Sequence, residues 1–268
     1  MSIAAPPVER TAGTLRTNWD VLVLLTRREL KVRYQSSFLG YLWTVLDPLA
    51  MSAVYWFVFT QVFGARKLGA QPYIVFLIFG MLPWNWFTNG VRSACSALTS
   101  DAKIIRSAKL PRELWVLKID SAKLVEFVLA WPVLIFFMII YKMPPSAFIF
   151  ALPLALVLQY LLIAGIGFIV APLCVLVKDV DRVVPIILRV FFYMSPVLYA
   201  VQRIPEQWRW VYTVNPLAGI LELYRAIVFP GEFLGWRQIG ISAAITLAIF
   251  FFGLWIFRRL EGAVLKEI

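Results

Sequence analysis

Histidine is missing from all 268 residues of this chain. With it go the commonest metal ligand and the commonest general base near neutral pH. Ser–His and Cys–His nucleophile pairs go too. Cysteine is nearly absent. Cys95 and Cys174 stand alone and far apart, so both read as small packing residues with no metal or redox spacing around them. Acidic residues number only 15 against 26 Lys and Arg. The one close carboxylate pair, Asp179 and Asp181, reads as turn chemistry facing water. No G-x-x-x-x-G-K-[ST] phosphate loop and no dinucleotide fingerprint occurs. The chain shows no engine of its own, and anything it moves uphill takes energy from a partner or an ion gradient.

Charge as a whole is scarce. Charged residues make up 15% of the chain and hydrophobic residues 61%, with a mean hydropathy of +0.80. Soluble domains run at about 25% charged and about 45–50% apolar. The fold class expected is therefore an all-α polytopic membrane protein without room for a large soluble domain. A net charge of +11 would suggest nucleic acid in a soluble chain. Here the cations cluster beside apolar stretches, so they read as orientation signals and anionic-lipid contacts, and no nucleic-acid partner is expected.

What is present is best taken in chain order. Residues 1–14 are polar with two prolines and read as a disordered arm, with no cleavable signal peptide expected. Residues 15–37 read as an amphipathic interfacial helix. Trp19, Leu22, Val23, Thr26 and Leu30 share a helical face, with Thr17 or Asn18 as cap and Asp20 in the first turn. The run is too short to span, so it is expected to lie on the membrane, the alternative being the start of the first span. Residues 38–268 read as the transmembrane domain, with six spans near 39–63, 72–91, 119–141, 148–177, 183–200 and 238–257. Pro48 favours a kink in the first span and Pro172 one in the long fourth. Between the last two spans, Ile204-Pro205, Asn215-Pro216 and Pro230-Gly231 leave two amphipathic pieces too short to cross. An external re-entrant helical hairpin, shielded by protein where its backbone breaks, fits that pattern. With the N-terminus inside, seventeen of the 26 cations fall on cytoplasmic segments and seven outside, so both ends are expected in the cytoplasm.

Four stretches carry a family resemblance: RRELKVRYQSSFLGYLWTVLDPL at 27–49, ALTSDAKIIRSAKLPRELWVLK at 97–118, VKDVDRVVPIILRVFFYMSPVLY at 177–199 and NPLAGILELYR at 215–225. In combination they resemble the permease subunit of the ATP-binding-cassette exporters of cell-surface polysaccharide, the family that moves lipid-linked O-antigen, teichoic acid, capsule or galactan. The similarity covers nearly the whole chain beyond the first residues. It implies a homodimer in the bacterial cytoplasmic (inner) membrane. It also implies two copies of a separate nucleotide-binding ATPase that carry the ATP and Mg, and a polyprenyl-diphosphate-linked polysaccharide as substrate. No cofactor or metal is expected in this chain. The 97–118 loop matches the family's ATPase-docking segment, through Asp101, Lys103, Arg106, Lys109, Arg112 and Glu113. Its physics agrees: Asp101 can cap a short helix whose cationic side offers charge-assisted contacts to a soluble partner. An ordinary positive-inside loop is the plainer alternative. Asp179, Asp181 and Arg182 match the second, smaller contact, and residues 201–230 the external re-entrant helices.

Three further groups are candidate site residues. Arg27, Arg28, Lys31 and Arg33 stand just before the first span, where a lipid diphosphate head group would be met. Tyr55, Trp84, Trp86 and Tyr193 lie within spans and are candidate channel aromatics for stacking on sugar rings, although lipid belts and core packing use the same residues. Arg189 is a lone cation in the fifth span, expensive there unless it faces water or a partner. Asp47, Glu126 or a passing diphosphate are equal candidates for that partner. The rival readings are an exporter of this architecture for a drug or lipid, and an ion-coupled secondary transporter. A membrane-embedded processing enzyme is a third, and it lacks the clustered acid–base site it would need.

Overall fold

A computed structural model of the chain describes residues 15–35, 42–62, 68–107 and 110–267. Among the described residues every regular element is helical. In chain order they are α1 (Leu15–Tyr34), α2 (Leu42–Trp56, prolonged by a π-helix Phe57–Val62), α3 (Tyr73–Ala94), α4 (Ala102–Ser107), α5 (Glu113–Leu129) and α6 (Trp131–Ile140). After a 3-10 turn at Ala147–Ala151 come α7 (Leu152–Leu176), α8 (Val180–Met194), α9 (Arg209–Thr213), α10 (Pro216–Ala226) and α11 (Trp236–Glu267).

Five stretches are long and apolar enough to cross a bilayer: Val45–Val62, Tyr73–Ala94, Glu113–Ile140, Ala147–Leu176 and Trp236–Glu267. They fall where the first, second, third, fourth and sixth spans are expected. The expected fifth span contains α8, which has 15 residues. At ~1.5 Å per residue that is about 22 Å, short of a hydrocarbon core of about 30 Å. The helix stops there because Ser195 adopts extended backbone in front of Pro196, which disfavours the helical conformation of the residue before it. Pro48 and Pro172 lie inside uninterrupted helices. The break in the third span falls instead at Ala130, before Trp131-Pro132. The residues expected to form the disordered arm lie outside the described residues, apart from the helix start that follows them. That helix is already formed at Leu15, so Thr17 and Asn18 lie within its first turn instead of capping it.

The centre of the bundle is α3, α7, α10 and α11. The most extensive packing joins α7 to α11, and two glycines allow it. A Cβ on Gly165 would stand 2.7 Å from the Phe250 Cα, and one on Gly253 would run into the Gly165 carbonyl. Such small residues let membrane helices approach backbone to backbone. α10 is buried on every side from Pro216 to Ala226, as its nearly all-round apolar surface requires. Asn215 caps it: Oδ1 accepts from the Leu217 N–H at 3.0 Å, while the side-chain amide donates to Ser195 Oγ at 3.0 Å. Gln159 on α7 ties across to α3 by donating to the Pro83 carbonyl at 2.7 Å.

α1 packs along α5, burying Leu22 and Thr26 while Trp19, Leu24 and Val32 stay exposed. α2 and α8 stand at the edge of the bundle. α8 buries only Val184, Leu188 and Phe192, one narrow stripe.

Candidate functional site

One end of the bundle carries a continuous run of ion pairs. On α1, Arg33 Nη2 lies 2.9 Å from Glu29 Oε1, one helical turn earlier, and its Nη1 lies 3.4 Å from Glu126 Oε1 on α5. The other Glu126 oxygen accepts from Lys123 Nζ at 2.6 Å. The second oxygen of Glu29 lies 3.2 Å from Lys118 Nζ. Lys118 also pairs with Asp101, whose remaining oxygen lies 3.4 Å from Arg28 Nη2. Lys118, Lys123 and Glu126 are buried, so removing one partner strands a charge with little access to water. The run fastens α1 and the turn that starts α4 onto α5.

Beside it a small cleft of mixed character is lined by Asn85, Asn89, Lys123 and Glu126 together with Leu82, Trp86, Phe127 and Ala130. Trp86 Nε1 donates to the buried Asp120 Oδ1 at 3.2 Å, and Asp120 Oδ2 has no partner among the described residues.

The four cations expected at the head-group site divide into two pairs. Arg28 and Arg33 are held in the ion-pair run. Arg27 and Lys31 are exposed, with no ion pair among the described residues. Lys103 and Arg106 are exposed on α4, and Lys109 lies outside the described residues. Arg112 bonds Glu261, and Arg258 Nε donates to Glu113 at 3.2 Å, so both loop residues clasp the end of α11 to the start of α5. Asp179 is exposed at the start of α8, and Asp181 and Arg182 are exposed in its first turn. Asp181 lies beside Cys95, just past the end of α3, which puts both loops at one end of the bundle.

The four aromatics also part ways. Trp84 is buried among Phe87, Phe191 and Phe192, with ring centroids 5.3–6.1 Å apart. Trp86 is buried and stacked on Phe127 at 5.1 Å. Tyr193 stands 59% exposed on α8, and the half-buried Tyr55 on α2 meets Phe192 at 5.9 Å. Arg189 and Asp47 are exposed on α8 and α2, and neither has an ion pair among the described residues. Glu126 is engaged by Lys123 and Arg33 and is not a partner for Arg189.

Sequence reasoning passed over two groups. Glu29 and Lys118 complete the ion-pair run, and the spacing of Glu29 to Arg33, i to i+4, was the available signal. Arg225 sits within α10 and is wholly enclosed. Its guanidinium donates to the Pro196 and Val197 carbonyls and lies 3.7 Å over the Phe76 ring. Gly80 leaves room for it, because a Cβ there would meet the guanidinium. Glu222, one turn earlier, accepts from the Leu234 N–H at 3.0 Å. Burial pushes its carboxyl up to about 7, against the opposing pull of that N–H and of Arg225. Two charges at i and i+3 in an otherwise apolar run were the signal in the sequence.

Comparison with known proteins puts these features in a family. The family model described as ABC-2 type transporter matches residues 20–229. The chain is 33% identical over 244 residues to the O-antigen export system permease protein RfbA of Klebsiella pneumoniae, a match covering 91% of this chain and 93% of that one. It is 28% identical over 245 residues to the polysialic acid transport protein KpsM of Escherichia coli, covering 90% and 93%. It is 23% identical over 249 residues to the capsule polysaccharide export inner-membrane protein CtrC of Neisseria meningitidis, covering 91% and 92%. The family match contains the whole ion-pair run, the edge helices α2 and α8, and the buried α10. The chain belongs to the ABC-2 type transporter family.

Proposed function

We propose that this chain is the membrane subunit of an exporter that carries a polyprenyl-diphosphate-linked surface polysaccharide outward across the bacterial inner membrane. ATP and Mg are bound and used on a separate ATPase. The relatives that match nine-tenths of the chain are named as export or transport proteins for O-antigen, polysialic acid and capsule. The observation that carries the reading is the bare face formed by α2 and α8. A helix face meant only for lipid has no use for a carboxylate and a guanidinium, and ionisable groups on membrane helices mark a water-filled path or a partner. Asp47 and Arg189 sit on that face, between exposed apolar residues such as Val54, Phe57, Ile186 and Ile187.

In this reading two copies meet through α2 and α8. The apolar residues are covered at the seam, and Asp47, Arg189, Tyr55 and Tyr193 line a shared conduit. Trp84 and Trp86 back its wall from within each subunit. α8 and the segment that follows it make the sixth span, and α9 and α10 form the re-entrant pair that closes the exit. Both termini lie in the cytoplasm. Lys103, Arg106 and the start of α8 at residues 179–182 receive two ATPase copies there. Arg27 and Lys31 take the substrate diphosphate, while Arg28 and Arg33 hold α1 in place.

Export in inverted vesicles tests the reading. Coexpression of the chain with a cassette ATPase should give a two-plus-two complex whose export of lipid-linked glycan needs ATP and survives collapse of the proton gradient. Export that persists without the ATPase and stops with the gradient would show an ion-coupled carrier instead.

A further inference from the structure

At the end of the third span away from α4, a cavity of about 550 Å³ lies between α6, α10 and the turn leading to α7. It is in the size range of small-molecule sites, roughly 300–1,000 Å³. Among the described residues α6 buries none of its own side chains, and Ile135, Phe136 and Ile139 are exposed, so the cavity opens where the bundle meets lipid. Its walls are apolar, with Leu134, Met138, Ile149 and Leu152 among them, and no carboxylate lines it.

Three lining side chains can donate a hydrogen bond: Trp131, Lys142 and Tyr224. Tyr224 is 2% exposed on α10, and its hydroxyl has no partner among the described residues. A buried hydroxyl left unpaired is costly, so an acceptor is expected to reach it. Lys142 is exposed at the turn, with φ at 53°, a left-handed conformation that residues other than glycine rarely adopt. Backbone bonds from Lys142 N to Ile139 O at 3.1 Å and from Met143 N to Met138 O at 2.9 Å hold it there.

We propose that this cavity binds one anionic glycerophospholipid of the surrounding bilayer. An acyl chain fills the slot, the phosphate meets Lys142, and an ester oxygen supplies the acceptor that the buried Tyr224 hydroxyl lacks. The transported lipid suits the slot less well. A polyprenyl tail has no ester oxygen to offer Tyr224, and its length far exceeds a cavity of this size. The bound lipid would act as a wedge that holds the otherwise unburied α6 against α10. This inference stands apart from the transport reading, since none of the cavity's lining residues belongs to α2 or α8.

Native mass spectrometry of the delipidated full-length chain, titrated with dioleoyl phosphatidylglycerol, tests it. Wild type should take up one tightly held phospholipid per chain. Met138→Trp should fill the slot and lose that lipid. Lys142→Gln, at an exposed position where folding is not at stake, should bind about fivefold more weakly, as expected for one cation near an anionic head group. Tyr224→Phe should weaken binding while keeping the stoichiometry. Equal uptake by wild type, Met138→Trp and Lys142→Gln would overturn the proposal. So would displacement of the phospholipid from wild type by an equal amount of polyprenyl phosphate.

Discussion

The second and first spans of this chain are built on opposite plans. Of the 22 residues of α3, Tyr73–Ala94, 17 are buried within the subunit, against 11% of the stretch Val45–Val62 that contains most of α2. The polar groups follow the same division. Inside, Arg225 has two carbonyls and an aromatic ring, Glu222 has a backbone N–H, and Gln159 donates to a carbonyl. At the edge, Asp47 and Arg189 stand exposed without an ion pair among the described residues. Each of these interior side chains is held by at least one partner within the chain, whereas Asp47 and Arg189 at the α2/α8 edge have no ion pair among the described residues. Substitutions inside should therefore cost folding, and substitutions at the edge should cost transport.

The largest effect is expected where backbones touch. Gly253→Leu forces α11 away from α7 and should destabilise the chain by about 3 kcal/mol, the upper end of overpacking costs. Loss of monodisperse protein in detergent and a lowered melting temperature would report it. Arg225→Met should cost nearly as much, about 2–3 kcal/mol, because buried carbonyls lose charged donors and Glu222 loses its nearest cation. The same melts measure it. Glu126→Gln should cost about 1–2 kcal/mol, since Lys123 stays buried without its carboxylate while Arg33 keeps Glu29. Pairing Glu126→Leu with Lys123→Met should recover part of that loss in a double-mutant cycle. Arg189→Gln should leave the melting temperature nearly unchanged, within about 0.5 kcal/mol, yet reduce export in vesicles. A melt as damaging as that of Arg225→Met would erase the contrast between edge and interior.

Much of this plan is legible in the sequence. Apolar length located five of the six expected spans, because hydrophobic thickness is a one-dimensional constraint. Asn215-Pro216 marked the start of α10 for the same local reason, since capping chemistry involves adjacent residues. Pairing over long sequence distances was not legible. Arg33 and Glu126 are 93 positions apart, and nothing local shows that Glu126 serves α1 instead of Arg189. The direction of an aromatic side chain was equally hidden. Trp84 and Tyr193 both lie in apolar helices, yet one is enclosed by three phenylalanines and the other is exposed, because helix rotation about its axis is fixed by neighbours from distant parts of the chain. Arg225 looked like an external cation because burial of a charge depends on carbonyls that only the fold delivers.

The claim that the α2/α8 edge is a seam between two copies can be tested by disulfide trapping in native membranes. In a Cys95→Ala, Cys174→Ala background, single cysteines are placed at exposed positions: Val54→Cys on α2, Ile187→Cys on α8 and Phe251→Cys on α11. With oxidant, the α2 and α8 variants should form disulfide-linked dimers, and the α11 variant should stay monomeric on a non-reducing gel. Dimers from the α11 variant, with none from α2 or α8, would contradict the account.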